Sequence, residues 1–279
     1  MIGRATILLL VLGSGPAGAA CPAGLTVALD IGHTLAAPGA TSARGQPEFL
    51  FNQALAHVVL ATLTGAGYSQ SFLVGDSGAP LRLEERTRLA RAGGAGLFLS
   101  IHHDSVQTAY LSDWEVGGRK QRFSDRFHGF SVFFSTLTAQ TAPSQAFATA
   151  IGHALTAAGM TPSLHHAEPI PGEGRTLVDP RIGLYRFDEL AVLRTASMPA
   201  ALLESGIIVN RDEELRLGQD ATRHLIAAAI HRAVDQVCPI IIRPGRDSRW
   251  RDIRCGGSAA ARPRCRSIPP GGRPHSPWR

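Results

Sequence analysis

Short apolar runs alternate along this chain with longer stretches in which apolar positions recur every three or four residues. That alternation predicts one layered α/β domain over about residues 22–238. Leu25–Asp30 (LTVALD) reads as a buried strand ending on a polar residue. Pro47 to Ala66 reads as a helix whose inward positions are Leu50, Ala54, Leu55, Val58, Val59 and Leu63, stopped by Gly65 and Gly67. Ser69–Val74 is a second strand, and Leu81–Ala92 an amphipathic helix with Leu83, Leu89 and Ala90 inward. Leu97–Ile101 and Phe130–Phe134 are further strands, followed by an Ala-rich helix over Ser144–Ala158. Ala200–Glu204 is a buried strand broken by Gly206, and Gln219–Val237 a long last helix. Two long polar stretches, Val106–Gly129 and Pro162–Pro180, interrupt the pattern; loops of such length in a compact domain are usually functional or mobile.

Both ends depart from this pattern. Arg4, the apolar Ile7–Leu12, the break at Gly15-Pro16 and the small residues Ala17-Gly18-Ala19-Ala20 together read as an export signal over residues 1–20. Cys21 follows directly; Gly18, where lipoprotein processing uses an aliphatic, speaks against lipidation. Past Cys238 the chain turns to Arg, Pro, Gly and Ser, a composition that cannot bury a core, so residues 239–279 read as a disordered tail. That tail holds ten Arg against two Asp, a net +8, which leaves residues 1–238 at −2 within the total of +6. The basic balance therefore belongs to the tail, and a basic nucleic-acid-binding face is not supported; charge attraction of the tail to anionic envelope polymers is one reading. No apolar run reaches the roughly 20 residues of a membrane-spanning helix. Export places four cysteines in an oxidising compartment, where a Cys21–Cys238 bridge would tie the two ends of residues 21–238 together.

Polar residues collect where strands stop: Asp30-Ile31-Gly32-His33, Ser100-Ile101-His102-His103-Asp104 and Glu204-Ser205-Gly206. In open α/β sheets ligands bind outside the carboxyl ends of the strands. Glu48 opens the helix after the first strand, with Asn52 one turn on, so two His and one Glu from separate elements can converge. That is the ligand set of catalytic zinc sites, which leave a position for water. His102 and His103 are adjacent, so only one of them can face the site. Glu204 behind four apolar residues needs a partner or a metal, because desolvation disfavours its charge.

In this order the residues resemble the zinc-dependent N-acetylmuramoyl-L-alanine amidases, the amidase-3 cell-wall hydrolases. The resemblance rests on Asp30-Ile31-Gly32-His33, Pro38-Gly39-Ala40, Arg44-Gly45, Glu48-x-x-x-Asn52 and Leu83-x-x-Arg86-x-x-x-Ala90. It continues through Leu99-Ser100-Ile101-His102, Gly129-Phe130-Ser131-Val132, Val192-Leu193-Arg194, Met198-Pro199-Ala200, Leu203-Glu204-Ser205-Gly206 and Asn210, in family order over nearly all of residues 25–237. It implies a three-layer α/β/α sandwich around a mixed, mostly parallel sheet, similar to zinc carboxypeptidases. It further implies Zn²⁺ held by His33, Glu48 and His102, with Glu204 as the catalytic base. The reaction implied is hydrolysis of the amide between the lactyl group of N-acetylmuramic acid and L-alanine of the stem peptide. Ile31 stands where Pro is common, and His103-Asp104 where Ala-Asn is usual; neither removes a ligand.

Around that core, Asp30 is read either as a strand-end turn residue or as the group orienting a ligand histidine. Arg194 is a candidate clamp for a stem-peptide carboxylate, and a structural ion pair explains it nearly as well. His166, near Glu168, is a candidate substrate contact; His165 reads as a solvated loop residue. The Val106–Gly129 insertion either shapes the groove or covers the metal until an activator protein displaces it. The expected protein is thus an exported, monomeric peptidoglycan amidase of the periplasm or cell envelope. The alternatives are a zinc carboxypeptidase or deacylase on another substrate, and a non-catalytic wall-binding protein.

Overall fold

The computed structural model describes residues 24–242. The signal segment, Cys21, Cys255, Cys265 and the tail beyond 242 lie outside the described residues. Seven strands form one mixed sheet, and in chain order these are β1 (Val27–Ile31), β2 (Phe72–Val74), β3 (Leu97–Asp104), β6 (Ser131–Phe134), β7 (Thr176–Asp179), β8 (Leu184–Arg186) and β9 (Ala200–Ile207). The remaining two, β4 (Ser112–Val116) and β5 (Arg119–Phe123), pair as a separate hairpin. The sheet order is β2-β1-β3-β9-β6-β8-β7; β2, β1, β3 and β9 run parallel, β6 is antiparallel to β9, and β7 to β8.

Side-chain alternation sorts the sheet into two cores. Val27, Leu29, Leu97, Leu99, Ile101, Ala201 and Leu203 point to one side. There they meet α1 (Glu48–Gly65), α3 (Thr141–Ala157) and α6 (Asp220–Ile242). Ala28, Phe98, Phe133, Ala200 and Leu202 point to the other side and meet Ala90 of α2 (Leu83–Ala92) and Val192 and Leu193 of α4 (Ala191–Arg194). The result is the expected three-layer α/β/α sandwich. A short α5 (Arg211–Leu217), capped by the Asn210 side chain on Asp212 N and Glu213 N, precedes α6.

The element boundaries differ from the sequence expectation where chemistry intrudes on the pattern. The inward face of α1 carries Glu48, Phe49, Phe51, Asn52, Leu55, Ala56, Val59 and Leu63, while Leu50 is exposed. A polar pair, Glu48 and Asn52, occupies the turn that aliphatic periodicity would assign to apolar side chains. In α2 the outcome is similar: Leu83 and Leu89 are exposed, and Arg86, Thr87 and Ala90 are buried. The Val106–Gly129 insertion contains the β4–β5 hairpin. Strand β9 continues through Gly206 to Ile207, with a register shift against His102 and Asp104. α6 continues through Pro239 to Ile242 because Ile241 still packs on the core. Cys238 is fully buried and disulfide-bonded. No helix among the described residues is long and apolar enough to cross a membrane.

Arg86 is 2 % exposed and secures the end of β1. It donates to Asp30 Oδ1 (2.7 Å), to the Ile31 carbonyl (2.6 Å) and to the His33 carbonyl (2.5 Å), while Ser100 Oγ donates to Asp30 Oδ2 (2.7 Å). Asp30 therefore does not orient a histidine ring: its carboxylate is taken by Arg86 and Ser100, and Arg86 carries the constraint to the His33 backbone. Removing the guanidinium strands a buried carboxylate. Arg86→Met is expected to cost about 3–5 kcal/mol of stability, read by urea denaturation.

Candidate metal centre

The parity that builds the core also builds the site. Counting from Phe98, alternate residues of β3 put Ser100, His102 and Asp104 on the α2/α4 side of the sheet, and His103 on the α1 side. Glu204, counted from Ala200 and Leu202, falls on the same side as His102, its direct partner across the β3–β9 ladder. His103 turns instead to α1, where its Nδ1 meets Asn52 Oδ1 at 2.8 Å and its ring lies 5.5 Å from that of Phe51. That resolves the choice between the adjacent histidines: His102 faces the cleft.

Glu48, 1 % exposed at the first position of α1, lies between the two remaining ligand candidates. Its Oε2 is 3.0 Å from His33 Nε2, and its Oε1 is 3.0 Å from His102 Nδ1. The backbone N–H groups of Ala40 and His103 and the Asn52 amide also donate to this carboxylate. Burial alone would raise the Glu48 carboxyl, but the hydrogen bonds and charges of His102 and His33 outweigh it and hold the group well below the usual carboxylate range. The ligand atoms of His33, Glu48 and His102 all lie within 4.8 Å of one another.

Two glycines leave room for this. A Cβ on Gly32 would fall 2.3 Å from the His102 ring; one on Gly39, where φ is +78°, would fall 2.3 Å from Glu48 Oε2 and 2.5 Å from the His33 ring. His33 itself adopts φ 70°, an uncommon backbone state for a side-chain-bearing residue, and the Arg86 bond to its carbonyl helps hold it there. His33 Nε2 is buried without an aligned hydrogen bond despite its closeness to Glu48. Two imidazoles, a carboxylate and an unused buried nitrogen fit a divalent ion of the zinc class.

Glu204 is 8 % exposed and its Oε2 has no hydrogen-bond partner. Burial, then the charges of Asp104 and Glu48, push its carboxyl well above the usual range. A carboxylate so placed is a strong proton acceptor, and a divalent ion beside it would favour its ionised form.

His166 lies beside this cleft, but its ring is held within the protein. Nε2 is 2.8 Å from Asp104 Oδ2 and Nδ1 is 2.9 Å from Glu173 Oε2. Burial opposes its protonation, yet the charge and hydrogen bond of Asp104, with Glu173, raise the imidazole to about 9. His165 is not a solvated loop residue: it is 2 % exposed, 3.3 Å from Asp104 Oδ2 and bonded through Nδ1 to Ser163 Oγ. Sequence reading left Asp104, His165 and Glu173 without a role, although Asp104 stands two residues after His102 and so shares its face. Arg194 is exposed on α4, which packs on α2, and the structure does not bring it to the ligands.

The β4–β5 hairpin docks on the segment before α1 and on α5: Trp114 Nε1 donates to the Ala43 carbonyl, and Arg211 lies over the Phe123 ring at 3.9 Å. Between the hairpin and the loops at residues 40–42, 105 and 209 lies a cavity of about 400 Å³ lined by Ala40, Ser42, Ser105, Lys120, Arg122 and Val209 among others. Ala40 bonds Glu48 and Ser105 bonds Asp104, so the cavity adjoins the ligands.

The sequence profile Amidase_3, described as N-acetylmuramoyl-L-alanine amidase, matches residues 27–236. Among solved structures, the N-acetylmuramyl-L-alanine amidase of Mycobacterium smegmatis is similar with a TM-score of 0.61 at 22% identity, over 78% of this chain and 98% of that one. The catalytic domain of an N-acetylmuramoyl-L-alanine amidase from Bacillus (Paenibacillus) polymyxa gives 0.57 at 24% identity, over 76% and 97%. An N-acetylmuramoyl-L-alanine amidase of Nostoc punctiforme gives 0.56 at 23% identity, over 78% and 98%. At these identities the structural likeness shows the shared fold. A search of curated proteins found no match.

Two outcomes check this geometry. Gly32→Ala, which forces the His102 ring aside, is expected to lower zinc affinity about 10–100-fold, measured by competition with a chelating dye. His103 supplies a pH dependence. Burial, helped by electrostatic repulsion from His102 and Arg223, outweighs the pull of Glu48 and Asp104 and lowers its imidazole from 6.5 to about 3. The unfolded chain thus takes up a proton that the native state refuses. The stability tied to neutral His103 is complete above pH 6.5 and is lost as pH falls toward about 3. His103→Gln, which keeps a donor for Asn52, is expected to lose less of its urea midpoint between pH 7 and pH 4 than the wild type.

Proposed function

Since the chain belongs to the Amidase_3 family of N-acetylmuramoyl-L-alanine amidases, we propose that it is a zinc-dependent peptidoglycan hydrolase. In this reading it cleaves the amide between the muramic lactyl group and L-alanine, using Glu204 as general base. The observation that carries the catalytic reading is the ladder pairing of His102 with Glu204, which puts an unpartnered buried carboxylate beside a His–Glu–His ligand set.

His33, Glu48 and His102 would hold the ion. A bound zinc ion supplies Lewis-acid polarisation of the scissile carbonyl and lowers the pKa of water toward 7. Glu204 Oε2 accepts the proton of the attacking water, which leaves the oxygen free to add to the carbonyl carbon. The same carboxyl then returns that proton to the amine nitrogen of L-alanine as the C–N bond breaks. A raised carboxyl serves both steps, as base when ionised and acid once loaded. Glu48 keeps both imidazoles aimed at one point, and Arg86 steadies the backbone beneath His33.

Lys120 and Arg122, lining the cavity that adjoins Glu48, offer cations for stem-peptide carboxylates and are better placed for that task than Arg194. The hairpin carrying them shapes the groove: its anchoring contacts run to Ala43 and Arg211 and not to the ligands. An export signal over residues 1–20 would bring a monomeric enzyme to its substrate in the periplasm or envelope. A zinc carboxypeptidase or deacylase would share the metal chemistry but leave different ends.

Glu204→Gln is expected to lower kcat by about 10²- to 10⁴-fold with zinc content unchanged, read by the free L-alanine amines released from purified peptidoglycan. Release of C-terminal amino acids by the wild type, with no new L-alanine amine, would sink the amidase reading.

A further inference from the structure

A second cluster stands beside the first. Asp104 comes from the end of β3; His165 and His166 come from a 3₁₀ turn over His165–Ala167 in the Pro162–Pro180 loop. We propose that Asp104, His165 and His166 form a second divalent-metal site of the zinc class, separate from the His33–Glu48–His102 site.

Three observations carry it. The side chains of Asp104 and His165 are 3 % and 1 % exposed, and that of His166 is 12 % exposed. Their convergent atoms, Asp104 Oδ2, His165 Nε2 and His166 Nε2, are all buried and none makes an aligned hydrogen bond, although the ring nitrogens lie 3.3 and 2.8 Å from the oxygen. Closeness without alignment is what ligands show when their lone pairs aim at a shared point and not at one another. His33 Nε2 shows the same signature in the first site.

The other end of each group is already secured. His165 Nδ1 meets Ser163 Oγ at 2.9 Å, His166 Nδ1 meets Glu173 Oε2 at 2.9 Å, and Asp104 Oδ1 accepts from Ser105 N at 2.7 Å. Metal-binding histidines are held in this way, with one ring nitrogen bonded to an acceptor and the other left for the ion. Phe133 packs against the His166 ring at 5.1 Å and Phe127 against the His165 ring at 5.4 Å, so neither ring is free to turn away.

Charge points the same way. Asp104 and Glu173 bring two carboxylates, with side chains 3 % and 4 % exposed, to the His166 ring, and buried carboxylates require cationic charge beside them. A divalent ion on Asp104 supplies it and clamps the 162–180 loop to β3. Since Asp104 lies two residues beyond His102 on one strand, the two sites are neighbours about 7 Å apart at the backbone, with Glu204 directly across the ladder from His102. Imidazole and carboxylate donors suit zinc and its neighbours in the first transition series, and three protein ligands leave a position open.

The test is metal stoichiometry by inductively coupled plasma mass spectrometry on the full chain after zinc loading and dialysis. The wild type is expected to hold two zinc ions. His165→Ala/His166→Ala is expected to keep one, and His33→Ala/His102→Ala to keep the other. Asp104→Asn retains the side-chain shape and is expected to weaken the second ion at least tenfold with unchanged far-UV circular dichroism, which separates ligand loss from unfolding. One ion in the wild type, removed by the His33/His102 pair and untouched by the His165/His166 pair, would overturn the site and leave an imidazolium–carboxylate pair in its place. Failure of the amidase assay would leave these counts unaffected, because the site stands on its own donors whatever the substrate.

Discussion

The cleft depends on holding one carboxylate, Glu48, almost fully out of water while two imidazoles approach it to 3.0 Å. A buried carboxylate is stable only when its oxygens are satisfied, and Glu48 draws on Ala40, Asn52, His103, His33 and His102 to achieve this. These partners come from three local structures: the segment between β1 and α1, the first turns of α1, and the end of β3. The Ala40 amide requires the loop before α1 to fold back, the His103 amide requires β3 to extend past its apolar run, and Asn52 requires the first turns of α1 to face inward. Meeting the needs of one side chain therefore fixes the relative positions of loop, strand and helix.

A second constraint lies one layer away, in the Arg86–Asp30 pair. It spans α2 and β1, and its reach to the carbonyls of Ile31 and His33 turns an ion pair into a backbone clamp. Buried pairs of this kind contribute modestly to net stability but set geometry firmly, because neither partner can leave without stranding the other's charge. Here the geometry so set is the uncommon left-handed backbone of His33. The glycines at 32 and 39 do the complementary work by leaving space where a Cβ would collide with the His102 ring, the His33 ring or the Glu48 carboxylate. The directions of the His33 and His102 rings are thus secured by a cation on one side and by missing atoms on the other.

The charges around Glu204 explain why the site is arranged across two parallel strands. Glu204 and His102 are ladder partners, so the spacing of this carboxylate and imidazole is a property of the sheet and not of a mobile loop. Asp104, one pleat further, adds a negative charge that raises the Glu204 carboxyl and gathers the two histidines of the 162–180 loop. The long loop is thereby tied to the sheet through polar groups, which is how a stretch with few apolar residues stays ordered over a core.

The pattern along the chain determined the strands β1, β3, β6 and β9, the helices α1, α2, α3 and α6 and their layering, because burial imposes periods of two and of three to four. It also marked His33, Glu48, His102 and Glu204, since polar residues at the ends of buried runs stand out against their neighbours. Only the tertiary structure decided what contact must decide. The choice of His102 over His103 came from the side of the sheet on which α1 offers Asn52. The role of Asp30 came from Arg86, fifty-six residues away in sequence. The short strands β7 and β8 and the hairpin β4–β5 carry too few apolar positions for a period to show. His165 looks like a solvated loop residue and His166 like a substrate contact until Asp104 is brought to them, because long-range pairing of polar groups leaves no periodic trace in the chain.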